Sequence, residues 1–418
     1  MNEKQLDTLE KILLFYPYLK KNTVSEQFNE CNKFPNFNST YVSIRKENKD
    51  DSTADIIAKT LVHGIKEKII DELDLDDLLF ALLEDSLLNS YLFKLNTSAF
   101  NLDDVNFSKQ LLKSWGIPQQ HKILSNINNL SVDKDFVICG YRELNDGKLD
   151  TLRILLLDSK IVSTKFKNGD SKQIIFPTIV DIDFRRELLH IRLRDVDNIV
   201  SESSELSTMS GRVENTLNFL DHFKPAINYS RVESFRNNLF SLEEALLSNK
   251  RKKAYEKLEI LDTEIEKFTN IVCEEFTPPD NTDISPKDYI SNGVLSIIAT
   301  TLDVSDLGDV VGIRFRNAKS DRDLNYAEIK ITDNGDKCIS SNNLYWLNLP
   351  VLLNRRAIEY LKIIKRLESG TAIVNLEFSL NTANIRILHK NKSEEIENKQ
   401  PTQEKYDDFI NFIMPFIK

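Results

Sequence analysis

Glu328-Ile329-Lys330, with Asp309 upstream, is the stretch whose residue types fit a reaction most directly. On an extended strand, residues two apart point the same way, so Glu328 and Lys330 share a face. An Asp and a Glu can hold a divalent cation such as Mg²⁺ while a neighbouring Lys orients or activates water. That is the chemistry of metal-assisted phosphodiester cleavage. The alternating Ala327, Ile329 and Ile331 supply an apolar opposite face, so the same run also reads as a solvated hairpin strand.

The D…E-x-K order is that of a restriction-type nuclease site. Here Glu328 falls on the second expected strand of its domain, where that pattern uses the third, and Asp309 opens a strand instead of sitting at a bend. Mg²⁺ is the cofactor implied by this alternative, and no cofactor is implied otherwise. The five histidines (His63, His121, His190, His222, His389) do not pair at ligand spacing, and no metal ligands are assigned. GxGxxG, GxxxxGK[ST] and GxSxG are absent, so nucleotide-binding and serine-hydrolase readings have no sequence support.

A second constellation lies in PTIVDIDFRRELLHIRLRD, residues 177–195, where charged and apolar residues alternate with period two. With Arg185 to Leu188 as the turn, Asp183 faces His190 and Asp181 faces Arg192 across a hairpin. Asp181, Asp183 and His190 could form a metal or acid–base centre. The ordinary reading is a hairpin's watery side, balanced by cross-strand pairs worth roughly 0.2–1 kcal/mol each.

Nucleic-acid contact is the third possibility. Arg314 and Arg316 leave one strand face, Lys319 and Arg322 follow in the loop, and Arg355 and Arg356 open the next expected helix, with Tyr345 and Trp346 as bases' stacking partners. Lys250, Arg251, Lys252 and Lys253 form a basic cluster at the expected tip of a helical hairpin. Residues 107–127 trace helix, Gly-containing turn, helix, the outline of a winged helix. Lys122 falls where its second helix should bury an apolar residue, and Trp115 reads as a core anchor.

The elements that would position these residues follow from pattern and composition. The chain has 418 residues, 41% hydrophobic and 29% charged, with a formal net charge of -10. That describes a multi-domain globular protein, not a generally basic nucleic-acid coat. Abundant Asn, Lys and Ile suggest an AT-rich bacterial genome. The amino-terminal residues have no signal-peptide pattern, no apolar run is long enough to span a bilayer, and Cys31, Cys139, Cys273 and Cys338 form no CxxC pair. A cytoplasmic location without membrane contact is expected.

The fold class expected is α+β and multi-domain, with a helical N-terminal region over 1–130 and an antiparallel β meander or small barrel over 131–200. A helical hairpin over 212–275 follows, then a mixed α/β C-terminal domain over 285–390, and a linker with a docking C-terminal helix over 391–418. In the first region Ser52 or Thr53 caps a helix, and the acids of 71–77 suit the positive start of another. The meander has five runs: 135–141, 151–157, 160–166, 173–184 and 188–194. The hairpin carries an apolar seam of Ala254, Leu258, Leu261, Ile265, Phe268 and Val272, broken from the preceding helix at 248–250. Beyond it come a helix over 289–301, strands at 310–316 and 326–332, a helix over 351–367, and strands at 372–378 and 383–388.

These features favour a non-catalytic binding subunit of a cytosolic bacterial assembly, with a protein partner or a second copy docking on the hairpin and tail, and nucleic acid as a further ligand. A metal-dependent nuclease is the alternative. Phage defence or mobile-element biology is the expected setting for such a chain, although no residue carries it.

Overall fold

Local signals start the helices. Ser52 caps α4 (Thr53–Lys66) and Asp71 caps α5 (Glu72–Ser86), each in a reciprocal capping box, with Asp55 and Asp74 returning the bond. In this computed structural model the described residues are 2–98, 100–102, 104, 106–130, 134–145, 149–165, 171–196, 198–200, 208–278, 284–301, 309–317, 326–388 and 401–417. They form two compact units, residues 1–230 and 231–418. Both mix helices with antiparallel sheet, as the α+β reading expects.

The first unit opens with α1 (Glu3–Leu13), α2 (Lys21–Cys31), α3 (Phe37–Glu47), α4 and α5. Then come β1 (Asn89–Asn96), α6 (Phe107–Ser114), α7 (Ile123–Ile127), β2 (Phe136–Asn145) and β3 (Leu149–Asp158). β4 (Val162–Lys165), β5 (Ser171–Ile174), β6 (Pro177–Asp183), β7 (Leu188–Leu193), β8 (Ile199–Val200) and α8 (Met209–Leu220) complete it, and β9 (Asn228–Arg231) leads out. The segments 1–130 and 131–200 thus share one unit.

Its main sheet runs β1-β7-β6-β3-β2. β1 corrects the sequence expectation of a helical region over 1–130. Asn89–Asn96 instead pairs along β7, so a tertiary partner overrides local helical preference. β4 and β5 also leave the expected meander and form a separate small sheet with β8. The β6–β7 hairpin is registered two residues from expectation, with Asp181 opposite His190 and Ile179 opposite Arg192. Its turn is 184–187. A two-residue shift preserves the faces.

Both faces of this sheet are covered. Leu155, Leu157 and Ile179 join the core beneath the N-terminal helices. Leu152, Ile154, Val180, Ile182, Leu189 and Ile191 join a second core with α6 and α8. Trp115 is the expected anchor in that second core, its indole N–H donating to Pro225 O at 3.0 Å. The winged-helix outline reduces to α6, a left-handed Gly116 and the short α7, which begins after Lys122.

The second unit holds α9 (Phe235–Leu258), α10 (Asp262–Phe276), α11 (Pro286–Ile298), β10 (Val310–Arg316), β11 (Glu328–Thr332), α12 (Asn343–Arg355), β12 (Tyr360–Leu367), β13 (Gly370–Ser379), β14 (Thr382–Ile387) and α13 (Gln403–Ile417). Its strands run β11-β10-β12-β13-β14. Residues 360–367, expected in a helix, are β12, and Arg355 and Arg356 end a helix instead of opening one. The break expected at 248–250 is also corrected, since α9 continues through it to Leu258. A 3₁₀ turn at Glu259–Leu261 joins it to α10, and α11 packs against both helices. The C-terminal helix buries Tyr406, Phe409, Ile410 and Ile413 against α9, β12 and β13 of its own unit. Among the described residues no helix is long and apolar enough to cross a membrane.

Candidate functional site

The expected nuclease residues are placed apart. Asp309 immediately precedes β10, whereas Glu328 lies opposite Arg316 at the far end of that strand. Seven residues at roughly 3.3 Å each put about 20 Å of strand between these positions. Asp309 neighbours Lys365 at 3.8 Å, while Glu328 lies 3.9 Å from Arg314 and 3.8 Å from Arg316. Lys330 is exposed opposite Arg314. Asp309 and Glu328 therefore do not share one cation in this arrangement, and among the described residues no group of three His, Cys, Asp or Glu could hold one.

Arg314 and Arg316 do share a face, but carboxylates frame them. Arg314 Nη2 donates to Glu377 at 2.8 Å, and Arg316 Nε lies 3.8 Å from Glu359. Burial pushes the Glu359 carboxyl up, against the pull of Arg316, Arg236 and Arg314. The strand face is a mixed lattice of Arg and Glu rather than a basic stripe. Lys319 and Arg322 lie outside the described residues. Tyr345 and Trp346, expected to stack bases, are buried, with the Trp346 indole donating to Ser340 O at 2.7 Å.

The basic cluster is not at a tip. Arg251 is buried within α9, where Nη2 bonds both oxygens of Glu243 at 2.8 and 2.7 Å and Nε donates to Tyr345 Oη at 2.9 Å. The Tyr345 hydroxyl donates to Glu243 at 2.7 Å, and burial followed by the Glu243 charge holds its acidity far below that of a free tyrosine. Arg251 thus fastens α12 to α9. Lys252 and Lys253 are exposed and Lys250 is half-buried, with Lys252 4.0 Å from Glu256.

The hairpin of 177–195 gives the largest correction. Asp181, Asp183, His190 and Arg192 are buried, not on a watery side, because α5 covers that face. Arg153 joins them from β3, bonding Asp181 through Nε at 2.7 Å and Nη2 at 3.1 Å and Glu84 of α5 at 2.7 Å. Arg192 reaches Asp181 at 3.1 Å and donates to Glu84 O and Leu87 O at 2.7 and 3.0 Å. Those carbonyls end α5, so Arg192 caps the negative end of that helix. Burial alone would push the Asp181 carboxyl up, but Arg153 and Arg192 hold it well below the usual range. Burial lowers the His190 pKa, opposed by Asp183 and Asp181.

Sequence reading missed Arg153 and Glu84. The signal was one arginine within the otherwise apolar ILLL-containing run of β3, since a strand apolar on both faces is covered on both. The network reaches the surface at Arg142, which meets Glu84 at 2.7 Å beside a cleft of about 380 Å³. There Lys33 is paired with Asp74 and His121 with Asp77, both at 2.7 Å. Lys33, His121 and Arg142 of the cleft each already have a carboxylate partner.

One surface is different. α10 has a single buried side chain, Ile265. Leu261, Phe268 and Ile271, members or neighbours of the expected seam, are exposed, the last two by 55% each, and Ile260 and Phe276 by 79% and 77%. Phe268 and Ile271 are three apart, so they lie on one side of α10, beside the buried Ile265 three residues before Phe268. Scattered exposed apolar residues are ordinary, whereas Phe268 and Ile271 leave two large side chains open together on one helix face. Glu264 and Glu275 fall on the same side, four residues before Phe268 and four after Ile271. No protein-family model matches the chain, and no curated protein or solved structure matches it either.

Proposed function

We propose that this chain is a non-catalytic binding subunit of a cytoplasmic protein assembly, and that α10 is its docking element. The observation that carries this reading is the exposed apolar pair Phe268 and Ile271 on a helix with one buried residue. An isolated helix of about 15 residues is marginal in water, so α10 has more to gain from a partner than its neighbours do. Buried thiols are consistent with a reducing compartment, burial pushing Cys139 up to about 12. The separation of Asp309 from Glu328, and the carboxylates around Arg314 and Arg316, favour binding of protein over cleavage or binding of nucleic acid.

Paired affinity captures from the source cells, using the full chain and a Phe268→Ser/Ile271→Ser variant, test this. A set of proteins held by the native chain and lost with the variant is expected, and identical sets would remove α10 from the account. Incubation with plasmid and Mg²⁺ or Mn²⁺ should give no nicking. Nicking abolished by Glu328→Ala would restore the nuclease alternative.

A further inference from the structure

We infer that the partner of α10 is a basic amphipathic helix, an apolar stripe flanked by Lys and Arg; this rests on the docking role proposed above. Residues 259–276 carry six carboxylates (Glu259, Asp262, Glu264, Glu266, Glu274, Glu275) and one cation, Lys267. Asp262 already has a partner in Lys287 of α11, 3.1 Å away. Glu264 and Glu275 flank Phe268 and Ile271 on the same side of α10, so whatever covers Phe268 and Ile271 must also meet these two charges.

Three occupants can be weighed by charge. A second copy of residues 259–276 would bring six more carboxylates against the first six, and like charges across a helix pair disfavour it. A nucleic acid or an anionic membrane surface meets the same repulsion. A helix with Lys or Arg beside its apolar seam satisfies both the stripe and its rim, as charged flanking positions do in paired helices. From Leu261 to Phe276 the face is about 22 Å long at roughly 1.5 Å per residue, enough for a partner of about four turns.

Fluorescence anisotropy with the full chain tests this, using a labelled synthetic peptide of about three heptads with Leu and Ile at the seam and Lys and Arg beside it. A peptide with Glu in place of every Lys and Arg, and a scrambled basic peptide, are the controls. The basic amphipathic peptide should bind with a Kd on the order of 10 µM and weaken roughly tenfold when salt rises from about 0.1 to about 0.5 M. The other two should not bind. Phe268→Ser/Ile271→Ser leaves the net charge unchanged, and it should lower affinity about tenfold if the face is used. Glu264→Lys/Glu275→Lys should move the preference toward the acidic peptide.

Equal binding of the scrambled peptide, or affinity unaffected by the serine variant, would reduce the effect to bulk charge and overturn the inference. If captures depend on Phe268 but the basic peptide does not bind, the partner chemistry fails while the docking role stands. If neither depends on Phe268, both fail. A dimer in light scattering that the serine variant dissociates would make the occupant a second copy and overturn the inference.

Discussion

Asp181 accepts from two buried guanidiniums, and one of these, Arg192, also closes the end of a helix. Asp181→Asn removes the charge that balances both arginines, and breaking a buried pair on one side costs about 3–5 kcal/mol. Urea unfolding at neutral pH should show that loss. A carboxyl held low in the native state contributes stability that is complete above its unfolded pKa of about 4, and this is lost as pH falls toward the native value. Native protein should therefore weaken below about pH 4 more steeply than the Asn variant. Asp76 has the opposite sign. Burial raises its carboxyl to about 6 although it accepts the Leu124 amide at 2.9 Å. Folding then favours its protonated form, and its contribution falls as pH rises from about 4 to 6. Asp76→Asn should raise neutral-pH stability by about 1–3 kcal/mol and remove that slope, read from unfolding midpoints between pH 4 and 7.

The continuity of α9 through 248–250 can be tested directly. Asn249→Pro would be tolerated at a break but costs about 3 kcal/mol or more inside a helix, and the larger loss is expected in thermal or urea unfolding. The same segment shows what the sequence discloses and what it conceals. Helix starts were legible near Ser52 and at the acids of 71–77 because caps and first-turn charges act on nearby backbone. Strands β10, β11, β13 and β14 were legible from alternation. β1 and β12 were not, because their partners lie far away in the chain and pairing outweighs local preference. Burial of Arg251 escaped notice for a similar reason, as Tyr345 lies 94 residues on. The faces of the β6–β7 hairpin were read correctly, while the helix that dries one of them could not be seen from the hairpin itself.

At the scale of the whole molecule, charge is spent unevenly. Much of it is matched internally, as in the Glu84–Arg153–Asp181–Arg192 network and the Arg251–Glu243–Tyr345 cluster. The expected seam was legible as an apolar repeat, but which half would remain open was not, because α11 covers only one side of α10. Phe268→Ser/Ile271→Ser should accordingly leave the unfolding midpoint nearly unchanged, within about 0.5 kcal/mol, as expected for exposed positions. A larger loss in calorimetry would mean these side chains already have a home in the folded chain.

Ile265 is the one fully buried side chain of α10, and the amide protons of this helix are thus guarded mainly by its own ladder. In deuterium exchange Asp262–Phe276 should label well before Phe235–Leu258, which buries side chains along its length. Engagement by a partner would then be legible as a slowing confined to that segment, since the visitor completes a core that the chain alone leaves half built.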